Sequence, residues 1–116
     1  MALPESRTTK TATIANGASL SAAVDLTGLV LVGLQMPAAW TAADITFQAS
    51  ADNVTLGDLM NYAGNEVTLT VTASDYIRRE YIEHLGLRYI KVRSGTSGTP
   101  VNQGASRAIT LQGVPL

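Results

Sequence analysis

Residues 26–60, LTGLVLVGLQMPAAWTAADITFQASADNVTLGDLM, constrain the fold more than any other stretch of the chain. At their centre Ile45, Phe47 and Ala49 alternate with Thr46, Gln48 and Ser50, the period-two pattern of a strand with one buried face. Ahead of it, 29–36 is apolar on both faces, which predicts a central strand covered on both sides or crossed by a loop. Pro37 ends that strand, because proline has no N–H for a ladder. The connection 37–44 holds the only tryptophan, Trp40, and is too short for a full helix. Ala51-Asp52-Asn53 reads as a turn, and 54–60 as a short edge strand or irregular return. Neighbouring strands of this kind must bury their apolar faces against a second sheet.

The flanking sequence repeats the pattern. Thr8–Ile14, TTKTATI, is β-branched and alternating, Asn16-Gly17 is a turn signal, and 19–26 alternates again, so the three predict a hairpin. In 66–72, Val67, Leu69 and Val71 face inward and Thr68, Thr70 and Thr72 outward. Tyr76-Ile77 pairs briefly, and 80–85 forms one helical turn ending at Gly86. Residues 87–93, LRYIKVR, are a strand with Ile90 and Val92 inward; 94–104, SGTSGTPVNQG, reads by composition as a flexible loop; a last strand covers 105–112. Seven to eight short strands with frequent turns predict an all-β fold, an antiparallel β-sandwich of jelly-roll-like form. Residues 1–7 read as an N-terminal arm and 8–116 as a single sandwich domain, since 116 residues cannot fill a second core.

Charge and composition narrow the function. A net charge of -1 argues against nucleic acid or an anionic membrane as partner. The longest apolar run, 29–34, is too short to span a bilayer, and MALPESRTTK has no signal-like apolar run, so synthesis in a cytoplasm is expected. With no cysteine there are no disulfides, thiolate metal sites or thiol catalysis. Arg78, Arg79, Arg88, Lys91 and Arg93 are interleaved with Asp75, Glu80 and Glu83, which reads as a solvated, self-neutralised strand surface.

Nothing in the chain assembles a catalytic, metal or cofactor site, so no enzyme activity and no cofactor are expected. His84, the one histidine, lacks the partners that a base or ligand needs. Asp44, Asp52 and Asp58 match no calcium-loop spacing and read as turn-forming residues. No serine lies in a G-x-S-x-G elbow, and Asn53-Val54-Thr55 fits a glycosylation sequon only in a secreted protein. Trp40 is either a plug closing one end of the sandwich or a platform for a sugar ring, with Asn53, Asp58, Tyr62 and Asn65 as its polar partners.

The order of a strand, P-x-x-W-T-A-A, the strand ITFQAS, the turn ADN, L-x-D-L and later LRYIKVRSGT resembles small virion proteins encoded among the structural genes of tailed bacteriophages. The residues that carry the likeness are 33–37, Trp40, Thr41, Phe47, Gln48, Ser50, Asp52, Leu56 and Asp58, then 88–96. The same blocks are similar, more distantly, to discoidin and galactose-binding-like sandwiches, although Asp52-Asn53 followed by Val54 and Leu56 departs from their D-G and aromatic turn. The resemblance implies a structural virion component, a head-associated decoration or accessory protein, made in the host bacterial cytoplasm. Its partners would be other virion proteins and copies of itself in a homo-oligomer. Contacts are expected from 1–10 and 94–104, through Pro4, Arg7, Lys10, Thr96, Pro100 and Asn102. The alternative is a carbohydrate-binding module on a tail or fibre.

Overall fold

The computed structural model describes residues 8–78 and 87–115. Their regular structure is eight strands: β1 (Thr8–Ile14), β2 (Val24–Asp25), β3 (Leu29–Gln35), β4 (Ile45–Ser50), β5 (Gly57–Asp58), β6 (Tyr76–Arg78), β7 (Tyr89–Ser94) and β8 (Arg107–Pro115). They form two four-stranded sheets, in the orders β1-β8-β3-β6 and β2-β7-β4-β5. Strands β1 and β8, β2 and β7, β3 and β6, and β4 and β5 each pair antiparallel, so the chain is one long hairpin wound into two layers. That winding is the jelly roll, and the all-β sandwich expected from the alternation is the fold observed.

The alternation produces the core directly. Ala12 and Ile14, Leu31 and Leu34, Ile45 and Phe47, Ile90 and Val92, and Ile109 and Leu111 meet between the sheets, every one of them buried. Val67, Leu69 and Val71 also join this cluster, with Thr68, Thr70 and Thr72 exposed, as the 66–72 pattern predicts. That segment is not a continuous strand, however; it touches β4 through the bridge Ile45↔Leu69, and Glu66 bridges to Met60, just beyond β5.

One pairing expectation is corrected. The hairpin of 8–14 with 19–26 does not form: β1 lies in the first sheet, while 19–26 contributes β2 and the bridge Leu20↔Arg93 to the second. The Asn16-Gly17 turn, with Gly17 at φ 81°, carries the chain from one layer to the other, and turn chemistry alone does not reveal which layer receives the next strand. The apolar segment 29–36 supplies β3, a central strand between β8 and β6 as expected, and its double-faced pattern has a specific cause. Leu31 pairs with Gly113 but Gly33 with Gln112, so Val32 is an extra, bulged residue. The bulge lets Leu31 and Leu34, an odd number of residues apart, both point into the core. The helical turn expected at 80–85, and with it Arg79, Glu80, Glu83 and His84, lies outside the described residues, as does the 1–7 arm with Pro4 and Arg7.

Candidate functional site

The most elaborate chemistry is buried polar structure beneath the loops. Gln103 is 1% exposed, and its amide is saturated. Its Nε2 donates to Thr41 O (3.0 Å) and Ser94 Oγ (2.6 Å), while its Oε1 accepts from Thr41 N (2.9 Å) and Arg107 Nε (3.1 Å). Its backbone adds two bonds, accepting from Gly17 N and donating to Ala18 O. One side chain thereby ties together the turn at 16–18, the connection 37–44, the end of β7 and the start of β8.

The segment 94–104, expected to be flexible, is instead densely bonded. Gly95 N donates to Asp44 O, Val101 N to Ser94 O, and Thr96 and Thr99 exchange backbone bonds across a Gly95↔Pro100 bridge. Gly95 has a φ of 90°, and a Cβ there would collide with Thr99 O and Val101 N, so this turn requires glycine. Composition misled here because Gly, Ser, Thr and Pro serve flexible linkers and tight turns alike.

A second cluster lies on the outer face of the second sheet. Arg93 on β7 is 7% exposed. Its Nη2 meets Asp58 Oδ1 at 2.6 Å, and its Nη1 meets Glu66 Oε2 at 3.1 Å and Thr46 Oγ1 at 3.4 Å. Glu66 also accepts from Ser97 N at 3.2 Å, and Thr46 Oγ1 donates to Gly95 O at 2.7 Å. The expectation that Arg93 belongs to a solvated strand surface is therefore corrected: its partners come from 58 and 66, far along the chain. Likewise Asp58 is an ion-pair partner and not a turn former.

This arginine fastens both stems of one loop. After β5 the chain leaves the edge at Leu59, makes an excursion over 60–66 closed by the Met60↔Glu66 bridge, and resumes against β4 at Leu69. Asn61 Oδ1 accepts from Ala63 N and Asn65 N, and Gly64 adopts φ 84°, which together fix the tip. Tyr62 stands there fully exposed, with Met60 also exposed.

The expected ligand-platform residues are distributed over separate segments. Trp40, in the β3–β4 connection, packs half-buried against the core and donates its indole N–H to Ala43 O at 3.1 Å. Asn53 sits in the β4–β5 turn at φ 61°. Asp58 is held by Arg93, Tyr62 occupies the 60–66 tip, and Asn65 is exposed on the same hairpin. Of the expected contact residues, Lys10 is half-buried on β1, Thr96 is half-buried, and Pro100 and Asn102 are exposed in the Gln103-anchored loop.

The carboxylates at the turns hold local backbone. Asp52 accepts from Thr55 N and Val54 N (both 2.9 Å) and from the Ser50 hydroxyl, and these bonds hold its carboxyl below the ordinary value of 3.8. Asp25 is lowered by the Thr27 hydroxyl and then by the Thr27 N–H. Among the described residues, no group of three or more His, Cys, Asp or Glu is placed to hold a metal ion, and no helix is long and apolar enough to cross a membrane. A depression lined by Ala49, Ser50, Ala51, Leu87 and Arg88 is shallow and mostly apolar. Sequence reasoning missed Arg93 and Gln103 as organising residues. No local signal separates Arg93 from Tyr89 and Lys91, which share its face of a strand whose other face is core.

These features define an eight-stranded jelly-roll sandwich whose buried polar groups fasten loops. Among solved structures the chain is similar to the crystal structure of SPBc2 prophage-derived protein YomS, with a TM-score of 0.57 and 14% identity, over 98% of this chain and 99% of that one. At that identity the likeness is one of fold. No protein-family model matches the sequence, and no curated protein does.

Proposed function

We propose that the chain is a structural component of a tailed-phage virion, a head-associated decoration or accessory protein that works through protein–protein contacts and without catalysis. The observation that carries the reading is the end-to-end fold likeness to a prophage-derived protein. The chemistry of the molecule agrees with it: Arg93, Asp58, Glu66 and Gln103 are engaged in architecture, while loops such as 60–66 are internally hydrogen-bonded and present an exposed tip. Rigid, preorganised loops lose little entropy on docking, which favours association. Partners in this reading are other virion proteins and further copies of the chain, with neither nucleic acid nor membrane bound.

The test is mass spectrometry on density-purified particles of the phage that encodes the chain. Stoichiometric presence in particles is expected; recovery only from the soluble lysate would overturn the reading. Removing residues 1–7 or substituting Pro100 and Asn102 should lower incorporation if those segments make the contacts. A sugar-binding module remains the second reading because Tyr62 is a fully exposed aromatic. It expects glycan-array signal that Tyr62→Ala abolishes, whereas silence across a broad array supports the structural role.

A further inference from the structure

Two of the four sheet edges are blunted. The second sheet ends in β2 and β5, of two residues each, and one side of the first ends in β6, described over Tyr76–Arg78. The remaining edge is β1, with seven described residues. Its register with β8 runs from Thr8↔Gly113 to Ile14↔Arg107 with no bulge. It contains no proline, and Lys10 is its only charge. Beyond the ladder with β8, no backbone bond joins 8–14 to another described residue. A regular edge of this length offers a row of outward N–H and C=O groups as a template for one more strand.

We propose that this strand is β1 of a second copy, running antiparallel about a two-fold axis through Thr11. The sequence of β1 is self-complementary in that register. With the axis perpendicular to the sheet, core faces stay on one side, so only residues of the same face can meet. Centring on Thr11 pairs Thr9 with Thr13 and Thr11 with its own copy, and all three threonines are exposed. On the inner face it pairs Thr8 with Ile14 and Lys10 with Ala12, so the two lysines never oppose each other. Threonine–threonine cross-strand pairs are favourable, whereas centring on Lys10 would set like charges together. Within the described strand, Thr8–Ile14, every residue then has a partner. The two first sheets then fuse into one of eight strands, β6-β3-β8-β1-β1-β8-β3-β6. Such a two-fold contact is isologous and closes on itself, giving a defined dimer.

The pairing deepens the assembly reading above and rests on it. Its test uses the full chain alone, by light scattering across concentration. Because a single strand pair is a small interface, the mass should rise from 12.2 kDa toward twice that value as concentration passes through the micromolar range, on the order of 10–100 µM. Thr11→Lys and Thr11→Glu each place like charges on the axis and should weaken association by about tenfold or more, while mixing the two variants should restore it. Thr11 is exposed, so both variants should fold, which circular dichroism checks. A wild-type monomer at all concentrations overturns the proposal, as does a dimer that both variants leave intact or a mixture that fails to reassociate. A monomer found in particles would sink the pairing alone, and a dimer absent from particles would sink the virion reading alone.

Discussion

Arg93 and Gln103 both bury a polar side chain beneath loops, yet they differ in what their removal leaves behind. Gln103 is neutral, and its four side-chain bonds go to groups that are themselves neutral except for Arg107. Arg93 is charged, and its two carboxylate partners are 32% and 15% exposed. Deleting the amide leaves unsatisfied dipoles; deleting the guanidinium leaves two acids facing each other with no cation between them. Both ends also carry backbone bonds, Asn61 N to Asn65 O and Val67 N to Leu59 O at the hairpin and Gly17 N to Gln103 O at the other, but only at the hairpin does one side chain hold the charge balance of both stems.

The widest separation between the two should come from Arg93→Met. Removing one partner of a buried pair costs about 3–5 kcal/mol, and the partial exposure of Asp58 brings the expected loss to about 3 kcal/mol. Urea unfolding would measure it, and a loss under about 1 kcal/mol would refute the clasp. Arg93→Lys sharpens the point. It keeps the charge but has no planar fork to reach both carboxylates, so most of the loss should remain. Hydrogen exchange should also rise at the Asn61, Ala63 and Asn65 amides before the rest of the molecule opens.

Gln103→Ala comes next, at about 2 kcal/mol, because it orphans Thr41 N and Thr41 O while the retained backbone bonds to Gly17 and Ala18 limit the damage. Its exchange signature should appear at 16–18 and 41, not at 60–66. If both variants loosened the same residues, the two fasteners would be one cooperative unit and the contrast would fail.

The contrast also explains what was legible in the sequence. Strand identity came from short-range alternation: ITFQAS puts Ile45 and Phe47 in the core as read. That there are two layers was legible too, because each alternating segment needed a second sheet, but the sheet that 19–26 joins was not. Partnerships across long separations were not. Residues 58, 66 and 93 meet only after β4, β5 and β7 have been set side by side, and nothing local marks Arg93 as different from Lys91 one face-repeat earlier. Val32 hid in the same way: a bulge looks like a doubly apolar strand until the register against β8 is known. Gln103 was masked by a stretch whose composition reads as a linker.

The smallest expected effect lies away from both fasteners, at the exposed Asp52 turn, and it gives the comparison its baseline. The carboxyl of Asp52 is held below 3.8 by the Thr55 and Val54 amides and the Ser50 hydroxyl. A group whose folded value is depressed adds stability that is complete above its unfolded value and fades as pH falls through the folded one. The 50–55 turn should therefore stay intact from neutral pH down to about 4 and loosen only below it. Chemical shifts of the Val54 and Thr55 amides should report the change, and Asp52→Asn should remove their shared acid transition while leaving the Asn61–Asn65 turn, which has no carboxylate, unmoved. A transition at the same pH in both turns would mean that acid acts globally and not through local capping at Asp52.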